Sequence, residues 1–204
     1  MLKKRIVLLR KRADVPFDAF DEHWSGPHAA IVSALPGIRE YVQNPVVEHW
    51  STRSVGRSVD GIVEVWFDDS GVASAEQHTS EAQQDDEVTF IGSLTAFTVT
   101  NRDSYDPESK VWILGEEQFD PAIFAEAVTD LGPIQLIQTE PEDRHRLMER
   151  PRLERENAAP AGILVIGAPK QVAHRVYEAA VKTAESAAGT GEIRVLLTSS
   201  RRMM

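Results

Sequence analysis

The chain has 204 residues, 42% of them hydrophobic, and a formal net charge of −10, a length that holds one large domain or two small ones with a buried core in either case. It contains no cysteine, which excludes disulfides, thiolate metal sites, iron–sulfur clusters and a cysteine nucleophile, and which suits a reducing cytoplasm. The negative balance argues against nucleic acid as a partner, because phosphate binding needs clustered cations, and basic runs such as Lys3-Lys4-Arg5 read as solvated surface.

Ile6-Val-Leu-Leu9 is a short aliphatic run bounded by basic residues and reads as a first strand. Over residues 17–35 the apolar positions Phe17, Phe20, Trp24, Ile31 and Leu35 recur at mostly three- and four-residue intervals. That spacing predicts an amphipathic helix with a break at Gly26-Pro27, stopped by Leu35-Pro36-Gly37. Residues 39–50 predict a long second strand in which Pro45 needs a bulge or an edge position. Residues 62–67 predict a third strand, 73–86 a polar helical stretch, and 94–100 a fourth strand. The order β-α-β-β-α-β is the ferredoxin-like pattern, an antiparallel sheet with helices on one face and a bare second face.

The second half restates the plan, with strands at 111–114, 134–137, 163–166 and 193–197 and helices at 119–131 and 170–188. We therefore expect an α+β chain of tandem ferredoxin-like repeats, divided into domains 1–106 and 107–204, whose bare sheet faces pack together as an intramolecular barrel. One chain then does what two subunits do in a homodimer, so a monomer with pseudo-dimeric halves is expected, with a homodimer as the alternative. No apolar run approaches the roughly 20 residues that cross a bilayer, and no membrane partner is expected.

Candidate chemistry gathers on the first helix. His23 and His28 are five apart, about 140° around an α-helix, which does not suit a zinc-binding pair; no metal is expected. Trp24 and His28 are four apart and share a face unless the helix breaks. An aromatic wall beside a titratable imidazole makes a small-molecule site, although His23 reads equally as a surface histidine and His28 as a core one. On the third strand Ile62, Glu64 and Trp66 point one way and Val63, Val65 and Phe67 the other. The wholly apolar set should face the helices, leaving Glu64 in the barrel interior, where a carboxylate needs a function or a partner such as a sheet-edge arginine. Glycine-rich phosphate loops and a serine hydrolase elbow are absent.

Phe20, His23-Trp24, His28, Leu35-Pro36-Gly37, Tyr41, Gln43-Asn44 and Asp60-Gly61-Ile62 with Glu64, Trp66 and Phe67 together resemble the EthD family of the dimeric α/β-barrel superfamily, over roughly residues 2–100. The resemblance implies a cavity between sheet and helix lined by the matching His, Trp and Tyr positions, in a superfamily whose members include cofactor-free cyclases and isomerases, monooxygenases and haem enzymes. We expect one cavity, in the N-terminal half, for a small apolar or aromatic ligand, with no cofactor. His28 is the candidate catalytic acid or base, and His23, Trp24, Tyr41, Asn44, Glu64 and Trp66 are candidate ligand-binding residues, with Tyr41 or Asn44 as donor to a developing enolate oxygen. The expected function is a cofactor-independent isomerase, lyase or cyclase of catabolism, or alternatively a non-catalytic accessory protein that binds the same ligand.

Overall fold

The computed structural model describes residues 2–53, 58–68, 81–101, 103, 107–187 and 191–204. In chain order, β1 (Lys3–Lys11) leads to α1 (Phe17–His23), a π-helical turn (Trp24–His28) and α2 (Ala29–Ser33), then β2 (Ile38–Ser51) and β3 (Gly61–Phe67). Next come α3 (Glu81–Phe90) and β4 (Ile91–Val99). The second half supplies β5 (Ser109–Gly115), α4 (Pro121–Val128), β6 (Gln135–Thr139), β7 (Gly162–Ala168), α5 (Lys170–Ser186) and β8 (Ile193–Ser199), and a short β9 (Arg201–Arg202) ends the chain. The predicted helix over 73–86 lies outside the described residues up to position 80, and its end runs into α3.

All strand pairs are antiparallel, in the order β4-β1-β3-β2-β8-β5-β7-β6. Each half thus has the same internal order, and the halves join head to tail: two tandem ferredoxin-like units form a dimeric α/β barrel within one chain. One joint is made inside β2, whose residues Ile38 to Pro45 pair with β3 and whose residues Val46 to Ser51 pair with β8. Pro45 sits at that change of partner, where the missing N–H costs least. The opposite joint is made by the chain leaving β6, where Thr100 and Glu142 N–H donate to the Glu140 and Thr98 carbonyls, 3.0 and 2.9 Å.

A single buried cluster takes residues from all eight long strands, including Ile6, Val46, Ile62, Phe97, Trp112, Ile137, Val165 and Leu196. This is the barrel interior, formed where two bare sheet faces bury each other. Val63, Val65 and Phe67 pack instead against Phe20, Trp24 and Phe90 on the helical side, so alternation along β3 divides the two cores as the sequence predicted. Glu64 lies inside the barrel at 2% exposure.

Its partners differ from expectation: the sheet-edge arginine is replaced by two lysines from the central strands. Lys4 Nζ lies 2.8 Å from Glu64 Oε1, and Lys110 Nζ donates to Oε2. Each lysine is the second residue of its half's first strand, so the two are related by the pseudo-twofold of the barrel and share one carboxylate. They lie over Trp66 and Trp112 at 4.5 and 5.9 Å, placing cations on indole faces. Asn44 Nδ2 adds a bond to Oε2 at 3.1 Å. Burial by itself would raise the Glu64 pKa, but Lys110 and Lys4 together hold it below the usual carboxylate range.

Trp24 is placed by a different constraint. A Cβ built on Gly61 would come within 2.6 Å of the Trp24 ring, so the fully buried indole lies against bare β3 backbone.

Glu64→Gln should destabilise the fold by about 3–5 kcal/mol in urea unfolding, because it removes the buried negative charge that two buried ammonium groups share. Since the folded pKa of Glu64 lies below its unfolded one, its contribution should be complete above the unfolded carboxylate value and be lost as pH falls through the folded value. Gly61→Ala should cost about 1–3 kcal/mol through overpacking against Trp24, measured the same way.

Candidate functional site

The first helix does not simply break at Gly26-Pro27; it widens. Residues Trp24–His28 form a π-helical turn that contains Pro27, which needs no backbone donor of its own. In an α-helix a five-residue step separates side chains, whereas in a π turn it aligns them. His23 and His28 accordingly reach the same carboxylate: His23 Nε2 lies 2.7 Å from Asp86 Oδ1 and His28 Nδ1 lies 2.8 Å from Asp86 Oδ2. Phe90, one helical turn beyond Asp86, packs on both imidazoles, with ring centroids 4.7 and 5.1 Å away.

Asp86, ionised, only accepts hydrogen bonds, so it fixes His28 as the Nδ1–H tautomer and leaves Nε2 without a bond to any described residue. Burial depresses the His28 pKa, and the bond to Asp86 offsets this only in part. At neutral pH the ring is therefore an uncharged base held by one nitrogen.

His28 borders a cavity of about 70 Å³ between the first sheet and its helices. The cavity has aliphatic walls from Val7, Leu9, Val32, Val63, Ile91 and Leu94 and a polar end formed by Gln83, Glu87 and Arg150. Glu87 accepts from Gln83 Nε2 and Arg150 Nε, both at 2.8 Å, and its pKa is nevertheless raised because burial outweighs the arginine. Arg5 and Met148 also line a larger, polar vestibule of about 490 Å³. Their contact, 3.5 Å from guanidinium to Sδ, is a wall common to the two spaces.

Tyr41 borders the same cavity from β2. Burial pushes its pKa up to about 12, even though the Gln43 amide donates to its oxygen and Arg201 lies nearby. It is a neutral phenol at any physiological pH.

Of the residues singled out in the sequence, the structure thus brings His28 and Tyr41 to one cavity, with His23 behind His28 on Asp86. Trp24 does not line it, because the π turn directs its ring onto Gly61. Asn44, Glu64 and Trp66 lie on the opposite face of the sheet, bound into the barrel interior. Asp86, Gln83, Glu87 and Arg150 are the residues that sequence reasoning missed. Positions 83, 87 and 90 are the buried face of α3; polar residues at the spacing of an apolar stripe were the available signal.

Haem, which the sequence resemblance raises as a candidate, does not fit the described residues. The sheet face under α5 is packed by Val111, Ile113, Val176 and Ala180. His174 turns both ring nitrogens to carboxylates, Glu48 at 2.9 Å and Glu178 at 3.4 Å, while His28 faces a space far smaller than a porphyrin.

Among solved structures, the chain is similar to a candidate chlorite dismutase, with a TM-score of 0.53 and 10% identity over 99% of this chain and 95% of that one. It is also similar to a point mutant of the chlorite dismutase from Candidatus Nitrospira defluvii, with a TM-score of 0.50 and 9% identity over 97% and 91%. At such identities the likeness is one of fold. No curated protein sequence matches the chain. No described helix is long and apolar enough to cross a membrane. Residues 12–93, which carry the π turn, both site histidines, Tyr41 and Asp86, match the EthD domain model.

Proposed function

We propose that the His28 cavity binds a small apolar or aromatic carbonyl compound and catalyses a cofactor-independent proton transfer, as in an isomerase, lyase or cyclase of catabolism. The observation that supports this reading above others is the state of His28: neutral, fixed as one tautomer by Asp86, and with Nε2 unbonded at an apolar cavity.

In this reading Nε2 removes a proton from carbon next to a carbonyl. The imidazolium that forms is stabilised by the adjacent Asp86 carboxylate, and Tyr41 O–H donates to the carbonyl oxygen as it gains enolate charge. Returning the proton to a different carbon gives an isomer, attack of the enolate on a second carbonyl gives a ring, and expulsion of a β-substituent gives a lyase product. The aliphatic walls exclude water from the enolate. As it stands the cavity holds only a few atoms, so substrate enters from the vestibule with displacement of Met148. The same aliphatic-walled space would also suit a non-catalytic carrier, and that reading predicts ligand retention with no conversion on long incubation.

His28→Asn should lower turnover by about 10²–10⁴ while ligand affinity changes little, measured by steady-state kinetics beside equilibrium binding. Unchanged turnover would remove His28 from the chemistry. Because burial lowers the His28 pKa, the rate should fall on acidification only below the ordinary histidine value of about 6.5, as the base becomes protonated. The same shift has a stability consequence: below about 6.5 the unfolded chain takes up the proton first, so stability should decline as pH falls through that value.

A further inference from the structure

The last four residues return to the first half. β9 pairs with β2 at Val42 and Gln43, and Met203 N–H donates to the Tyr41 carbonyl at 2.8 Å. Arg201 there forms a bidentate pair with Asp21 of α1, at 2.7 and 2.9 Å, and lies 5.3 Å from the Trp24 ring centre. Its Nε donates to Gln43 Oε1 at 2.8 Å. Gln43 Nε2 is 2.7 Å from the Trp24 carbonyl and 2.7 Å from the Tyr41 hydroxyl oxygen.

We propose that Arg201 is a positioning residue for the cavity: by fixing the Gln43 amide it makes Tyr41 present its hydroxyl proton to the substrate space. A guanidinium has donors alone, so the Gln43 oxygen must face it. The Gln43 amide nitrogen then faces the Trp24 carbonyl, an acceptor alone, which agrees with that orientation, and its hydrogens also meet the phenol. Tyr41 oxygen thus accepts from Gln43 and cannot donate back along the same line. With its oxygen accepting from the Gln43 amide, the phenol has its own proton left for the cavity it borders. Without Arg201 only the Trp24 carbonyl orients the amide, a flip costs less, and the phenol can more often turn to donate to Gln43 instead. The orientation of a residue of the first half is therefore set by the end of the second.

This inference rests on Tyr41 acting as the cavity's donor, but its test needs no turnover. The full chain is made with 3,5-difluorotyrosine at position 41, whose more acidic phenol is titrated by ¹⁹F NMR. The groups that face this phenol are Gln43, Trp24, Arg201, Glu87 and, across the cavity, His28. Arg201→Met should raise the labelled pKa by about one unit, a tenfold change in ionisation constant. In a Gln43→Met background the same change at Arg201 should have a clearly smaller effect, the part left by its direct charge, because the rest acts through the amide. Equal shifts in both backgrounds would mean that Arg201 acts by direct charge, and no shift in either would mean that it does not act on Tyr41; each overturns the proposal. Should Gln43→Met fail to fold, the Gln43 side-chain amide resonances decide, since Arg201→Met should move them and Arg201→Lys should restore them in part. A cycle that behaves as expected in a protein whose turnover ignores His28 would keep the relay and discard the acid–base reading.

Discussion

Everything else in this molecule depends on the carboxylate of Glu64 being closed inside the barrel between Lys4 and Lys110. Two cations and one anion are removed from water there, which is costly unless geometry is fixed. Their value is selection of register rather than gross stability. A slip of one residue along β3 would turn Glu64 out of the interior and Val63 or Val65 into it, leaving both ammonium groups without a counter-charge. Because Lys4 and Lys110 come from corresponding positions in the two halves, the triad ties the halves to each other and not only strands within one sheet.

The interior is occupied, and the cavity that His28 borders lies on the outer face of the sheet, under the helices. The two outer faces are unequal. In the second half α5 lays a regular small-residue stripe, Ala173, Val176, Ala180 and Ala184, against the strands and fills the space. In the first half the shorter, π-turned helix and the polar inner face of α3 leave a gap, into which His28, Gln83 and Glu87 project. The gap is then completed from the other half. Met148 and Arg150 cross over it in the segment between β6 and β7, and Arg201 braces its floor from the tail. The C-terminal half is a built-in partner, as the sequence suggested, and it is also a source of cavity residues.

The π turn shows why part of the site was hard to read in advance. A five-residue spacing between histidines is evidence against cooperation only if the helix is α throughout. Pro27 removes one backbone donor, the local hydrogen bonding shifts by one residue, and His23 and His28 come together on Asp86. The same shift carries Trp24 away from His28 and onto Gly61. Placing the cavity-lining residues therefore depended on one local change of helical period that composition and spacing cannot express. Asp86 was hidden for a second reason: in a run of Gln83-Gln84-Asp85-Asp86-Glu87, nothing local distinguishes a carboxylate that meets two imidazoles from one that meets water.

What the sequence determined by itself is the element order, its repetition as a β-α-β-β-α-β plan in each half, the division of β3 into an inward and an outward face, and the gathering of candidate groups on the first helix. These follow from periodicity and from turn chemistry, which act over a few residues. What only the tertiary structure decided is which buried polar groups meet: Glu64 with lysines from two separate strands, His28 with Asp86 fifty-eight positions away, Tyr41 with the end of the chain through Gln43. Such pairings depend on strand order and on where the halves join, and the requirement that every buried polar group find a partner can be satisfied by many sequences but is resolved only by the closed barrel.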